Sequence, residues 1–131
     1  MKKIILQISM SFIVILSLTV TAFAESSVTD GVYSGYLGQS TYSQYSKKYT
    51  STTQKHYGTV YEITAGLSVL NSTTGGTRSD SFNRLYNAKT VTASGLVNYG
   101  ITKKVTAYGS HSAYQNGVAQ FFEFTAKSYT M

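Results

Sequence analysis

The sequence predicts an all-β protein, a small antiparallel β-sandwich of about six to seven strands behind a removable leader. Three observations carry that expectation. All twelve tyrosines lie beyond position 24, and the chain has no proline, cysteine or tryptophan. Tyr, Phe, Thr and Val favour the pleated, half-buried surface of a sheet. Several segments alternate apolar and polar residues with a period of two, and none repeats apolar residues at helical spacing. Turn formers separate these segments, most clearly at Asn116-Gly117, the pairing that suits a two-residue hairpin turn.

The leader comes first. Lys2 and Lys3 precede an apolar run from Ile4 to Val20, and Ala22-Phe23-Ala24 supplies a small-x-small cleavage pattern before the polar Glu25. A membrane-spanning helix needs about 20 predominantly apolar residues, and this run sits at that lower limit with no positive flank to stop transfer. Cleavage after Ala24 is expected. Residues 25–131 are then a single secreted domain, extracellular or wall-associated, with no transmembrane anchor after cleavage. Without cysteine the run cannot lead a lipoprotein. A chain of this size can bury a core without staples, and export without disulfides points to a bacterial source with a single membrane. Losing Lys2 and Lys3 leaves nine Lys and Arg against five acids, a net charge of about +4. That draws the protein toward anionic wall polymers or headgroups but is not the dense basic patch of a nucleic-acid binder.

Taken in order, Glu25 to Asp30 is expected to be a fraying start, and Gly31 to Leu37 a first strand. Gly38 to Lys55 is polar and nearly low-complexity, read as one edge strand with a loop or as two short strands. Tyr57 to Leu70 gives the cleanest alternation, with Tyr57, Thr59, Tyr61, Ile63, Ala65, Leu67 and Val69 on the face expected to be buried. Asn71 to Gly76 is a turn of about six residues, and Thr77 to Tyr86 returns. Lys89 to Val97 sets Val91, Ala93 and Val97 against Thr90, Thr92 and Ser94, before the break at Asn98-Tyr99-Gly100. Ile101 to Tyr114 and Val118 to Thr130 then flank Asn116-Gly117. With Gln115 facing Val118 and a constant register thereafter, His111 faces Phe122, Gly109 faces Phe124, and Phe124 is buried while Thr125 meets water.

No catalytic, metal or cofactor site is expected. His56 and His111 are the only histidines, too few for a zinc site that wants three or four ligands. His111 is read as a structural, half-buried residue. The serines lack a nucleophile elbow and an evident base held by a third group. Glu62 and Glu123 lie on polar strand faces, where pairing with Lys is their ordinary fate. The stretch most suggestive of binding holds Tyr42, Tyr45, Lys47, Lys48 and Tyr49, tyrosines interleaved with lysines. Such a surface stacks on sugar rings while holding phosphate or carboxylate. The opposing reading is an edge strand whose lysines discourage aggregation.

Three segments resemble the lactococcin-type bacteriocins, cysteine-free secreted β-sandwich proteins of Gram-positive bacteria. Tyr42-Ser43-Gln44-Tyr45 looks like that family's early Tyr-Ser-x-Tyr segment. Leu70-Asn71-Ser72-Thr73-Thr74-Gly75 is similar to its strand followed by Asn-x-x-Thr-Gly, and Ile101 to Tyr108 to its final Thr-x-Lys-x-x-x-Tyr strand. The likeness covers roughly Tyr42 to Tyr114. The chain departs from the pattern in lacking the family's Trp and the His-rich stretch, and in adding a strand from Val118 onward. The resemblance implies an antibacterial effector that interferes with wall synthesis at the envelope of related bacteria, and it names no site residue. With the positive charge, the expected partner is an anionic wall polymer or wall precursor. The alternative is a surface-associated structural or adhesive protein, to which Tyr/Ser/Thr-rich strands are also suited.

Overall fold

Residues 26–98, 100 and 103–130 are described in the computed structural model. The expected leader 1–24, Glu25, and Tyr99, Ile101 and Thr102 lie outside them. Eight strands run in chain order: β1 (Ser27–Thr29), β2 (Tyr33–Ser43), β3 (Ser46–Lys55), β4 (Val60–Asn71), β5 (Thr77–Ala88), β6 (Thr90–Asn98), β7 (Lys104–Gln115) and β8 (Val118–Thr130). They form two four-stranded antiparallel sheets, sheet A in the order β1-β2-β3-β6 and sheet B in the order β5-β4-β7-β8. The all-β sandwich is therefore as the sequence predicts. It has more strands than the six or seven expected, because the supposed fraying start holds β1, paired to β2 through Val28↔Gly35.

The period of two explains the two layers. Odd-numbered residues of β3, of β4 from Ile63 on, of β6 and of β7 turn inward, so Tyr49, Ile63, Leu67, Val69, Val91 and Val105 are all but fully buried between the sheets. Tyr57, Thr59 and Tyr61, expected on the same face, come before that stretch and are exposed. Even-numbered Thr90, Thr92 and Ser94 of β6 turn outward and are exposed. Gly38 to Lys55 is a two-stranded hairpin rather than an edge strand with a loop. Its β3 is central in sheet A, bonded to β2 on one side and to β6 on the other. The cause is its inward row of Tyr49, Ser51 and Thr53, each about 0% exposed. The chain changes sheet abruptly between β5 and β6, where Asn87 takes φ 51° and only Lys89 separates the strands.

The Asn116-Gly117 hairpin forms as expected: Gln115 faces Val118, and both turn residues have positive φ, 54° and 75°. The register beyond it does not. Tyr114 faces Ala119 but Ala113 faces Phe121, so Gln120 is the extra residue of a β-bulge and every later pair is shifted by one. His111 thus faces Glu123 rather than Phe122, and Gly109 faces Thr125 rather than Phe124. Phe124 is half-buried on the outer face of sheet B, and Thr125 is fully buried. A one-residue slip inverts the faces of a strand, and long-range contacts favour the slip. It stacks Phe121 on Tyr33, ring centroids 5.5 Å apart, and it gives the buried His111 a hydroxyl partner. Gly117→Ala would place a Cβ in the left-handed region at a cost of roughly 1–2 kcal/mol. Urea denaturation of that variant is expected to show a loss of this size; unaltered stability would contradict the turn geometry.

Candidate functional site

One end of the sandwich is cationic. The tip of the β2–β3 hairpin, the end of β6, the start of β7, the β4–β5 turn and the end of β8 all lie there, as the pairs Ser43↔Ser46, Ser46↔Asn98, Asn71↔Val105 and Lys104↔Thr130 require. Cross-links hold the end together: Arg78 Nη2 donates to the Asn98 carbonyl at 3.0 Å, and Ser72 N donates to the Lys104 carbonyl at 3.1 Å. The topology therefore joins Lys47 and Lys48 with Arg78, Lys103 and Lys104, residues far away in sequence. Lys48, Arg78, Lys103 and Lys104 are exposed, and none of the five is in an ion pair among the described residues. Lys127, further down β8, leans its Nζ over the Tyr129 ring at 5.2 Å. The nearby acid is Asp80, whose carboxyl is pushed up by burial.

Four of the five residues singled out in the sequence belong to this end. Tyr42 and Tyr45 are 65% and 68% exposed at the hairpin tip. Lys47 donates from Nζ to Thr41 Oγ1 at 3.1 Å, and Lys48 is exposed beside it. Tyr49 does not belong. It is 0% exposed, its hydroxyl accepts from Gln39 Nε2 at 2.8 Å, and its ring packs edge-on against Tyr129. Strand alternation sends position 49 inward where 48 points outward, so Tyr49 is a core residue.

Two other polar constellations bear on chemistry. In the core, Thr53 Oγ1 donates to the Thr64 carbonyl at 2.7 Å, so it accepts from His111 Nδ1–H at 3.0 Å. The far nitrogen, Nε2, then accepts from Thr125 Oγ1 at 2.8 Å. Because burial keeps the ring neutral, these contacts select its Nδ1–H tautomer. Burial lowers its pKa to about 4 against a weak opposing hydrogen bond to the Thr52 backbone. His111 is thus fully rather than half buried. At the opposite end of the sandwich, Ser34 Oγ lies 2.5 Å from His56 Nε2, a contact that invites a nucleophilic reading. The bond directions run the other way. Thr29 Oγ1 donates to the Tyr33 carbonyl and Ser34 Oγ donates to Thr29 Oγ1, so His56 is the donor to Ser34. A base that activates serine must accept its proton.

An open groove of about 720 Å³ runs between the β1–β2 edge and β8, lined by Val28, Ser34, Tyr36, Gln54 and Glu123. Glu62 pairs with Arg84 rather than with Lys, Nε to Oε2 at 3.4 Å. No group of three or more metal-ligating side chains occurs among the described residues. No helix among them is long and apolar enough to cross a membrane.

No family model and no curated protein matches the chain. Solved structures resemble it only distantly. A β-glycosidase from Bacteroides vulgatus is 8% identical at a TM-score of 0.44, over 81% of this chain and 14% of that one. A protein from Archaeoglobus fulgidus is 8% identical at a TM-score of 0.36, over 74% and 94%. The GAE domain of GGA2p from Saccharomyces cerevisiae is 15% identical at a TM-score of 0.34, over 82% and 96%. These likenesses are too slight to inform the reading of any site in this chain.

Proposed function

We propose that the mature chain is an exported, non-enzymatic envelope-binding protein of the bacteriocin-like kind, whose cationic end engages an anionic polymer of the Gram-positive wall. The observation that carries this reading is the gathering of Lys47, Lys48, Arg78, Lys103 and Lys104 beside the exposed Tyr42 and Tyr45. Evenly spaced anions such as polymer phosphates match a cluster of flexible ammonium groups, which bind as point charges. Exposed phenol rings add apolar area at low entropic cost.

Binding of the purified mature protein to poly(glycerol phosphate) wall polymer tests it. Each cation near an anionic surface contributes about 1 kcal/mol, so Lys47→Gln with Lys48→Gln is expected to weaken binding by at least tenfold. Adding Lys103→Gln and Lys104→Gln is expected to weaken it further and to flatten its salt dependence. Thermal stability is expected to stay within about 0.5 kcal/mol, as for most surface substitutions. Equal binding by all variants would overturn the reading. Growth inhibition on lawns of related Gram-positive strains tests its antibacterial part separately.

A further inference from the structure

The outer face of sheet B carries a second polar cluster, far from the cationic end. Tyr86, Glu62 and Tyr114 stand in one row across β5, β4 and β7, and Arg84, Thr64, Ser112 and Phe122 in the next. The floor of these rows is small and polar, with Thr64 and Ser112 hydrogen-bonded hydroxyl to hydroxyl. Arg84 is unusual for a surface sheet. Its side chain is only 9% exposed, and its guanidinium lies 5.2 Å from the Phe82 ring. Its Nε is held 3.4 Å from Glu62 Oε2, yet neither Nε nor Nη2 has a hydrogen-bond partner among the described residues. Ser110 Oγ, in the adjoining row beside Gly66, is also buried and unpartnered. At the rim Tyr61 and Tyr86 are 50% and 41% exposed, their rings 5.6 Å apart edge to face.

A desolvated guanidinium with idle donors is costly unless something accepts from it. The chemistry of the acceptor follows from its neighbour. Glu62 already supplies the opposite charge, so a second anion at Arg84 would face carboxylate repulsion. A hydroxyl pair meets no such penalty, because one oxygen accepts from Arg84 while the adjacent hydroxyl donates to Glu62. The exposed rings of Tyr61 and Tyr86 offer apolar faces next to that pair, and a pyranose has a flat C–H face beside its vicinal hydroxyls. Few convergent polar groups among aromatic walls is the general make-up of a small-ligand site. The Tyr114 phenol, pushed up chiefly by burial and held by Ser112, stays protonated and so adds a donor at the edge of the cluster.

We propose that Arg84 and Glu62, with Tyr61 and Tyr86 as stacking surfaces, form a binding site for a neutral saccharide bearing vicinal hydroxyls. The site is independent of the cationic end, so either can fail without the other.

The test titrates the 15N-labelled mature protein with cellotetraose, xylotetraose, maltotetraose and chitotetraose, each to about 10 mM, tenfold above a millimolar Kd. At least one is expected to shift the Arg84 Nε–H signal together with the Glu62 and Tyr86 amides. Tyr86→Ala, at a half-exposed ring, is expected to keep the fold and to weaken that binding at least tenfold, and Arg84→Lys to do the same. The Lys47→Gln, Lys48→Gln variant is expected to bind the sugar as the parent does while losing affinity for poly(glycerol phosphate). Silence of the Arg84 signal with all four sugars overturns the proposal. So does sugar binding that Tyr86→Ala leaves intact, or shifts confined to the hairpin tip.

Discussion

Lowering the pH from 7 to 4 is expected to remove about 3 kcal/mol of folding stability through His111 alone. The imidazole is 1% exposed, with Nδ1–H donating to Thr53 Oγ1 and Nε2 accepting from Thr125 Oγ1. A second proton would have to enter at Nε2, displacing the Thr125 hydroxyl proton and placing a charge in the core. The folded pKa is accordingly lowered to about 4 from an ordinary 6.5. The neutral form is what the fold favours, so the contribution is complete above pH 6.5. Between 6.5 and 4 the unfolded chain binds more protons than the folded one, and stability falls as pH falls. Each pH unit between those two values removes about 1.4 kcal/mol, less near pH 4 where the folded ring itself takes up the proton. With a urea slope near 1.5 kcal/mol/M, the midpoint is expected to drop on the order of 2 M. Histidine ring NMR checks the cause directly: His111 is expected to remain an Nδ1–H tautomer down to about pH 4. A ring that titrates near 6.5, or a urea midpoint unchanged between pH 7 and 4.5, would sink this account.

The niche around that ring explains why two glycines sit where strand formers would pack better. A Cβ on Gly35 would collide with the His111 ring, and a Cβ on Gly109 would meet both the Thr125 hydroxyl and Nε2. A short window shows in Gly35 and Gly109 only strand positions without a side chain to pack. In the structure each is the space an imidazole occupies. What the sequence discloses is whatever depends on neighbours along the chain. The inward row of Ile63, Ala65, Leu67 and Val69, the alternation of Val91, Ala93 and Val97, and the turn at Asn116-Gly117 all arise from periods and dihedral preferences that a short window contains. Tyr49 belongs with them, since the alternation that exposes Lys48 also buries its neighbour. The cationic end is different. Lys47 and Lys48 are visible together, but Arg78, Lys103 and Lys104 join them only because β3 pairs with β6 and the β4–β5 turn bonds to β7. Arg84 and Glu62 likewise meet through the β4–β5 register, and a local reading sends Glu62 to a lysine.

The bulge at Gln120 is hidden from a local window for the same reason, and its consequence is the other large effect expected. Phe121→Ala is expected to cost about 3–5 kcal/mol, as truncating a buried phenylalanine usually does. Phe121 is 5% exposed and lies nearly parallel to Tyr33, at 19° between ring planes, joining β8 of one sheet to β2 of the other. Phe122→Ala is expected to cost only about 1 kcal/mol. That ring is 39% exposed and its neighbour is Phe124, edge to face at 5.3 Å on the outer surface, a pair worth roughly 0.5–1.5 kcal/mol. A ladder without the bulge would reverse the order, turning Phe122 and Phe124 inward and Phe121 and Thr125 out to water. Thr125→Val separates the two registers again. In the bulged ladder it strips the hydroxyl from buried His111 Nε2 and is expected to cost about 1–3 kcal/mol; at an exposed position it would be nearly silent. Urea denaturation of the three variants at pH 7 decides the matter. Phe122→Ala proving more damaging than Phe121→Ala, or a silent Thr125→Val, would restore the constant register and remove the partner on which the neutral His111 depends.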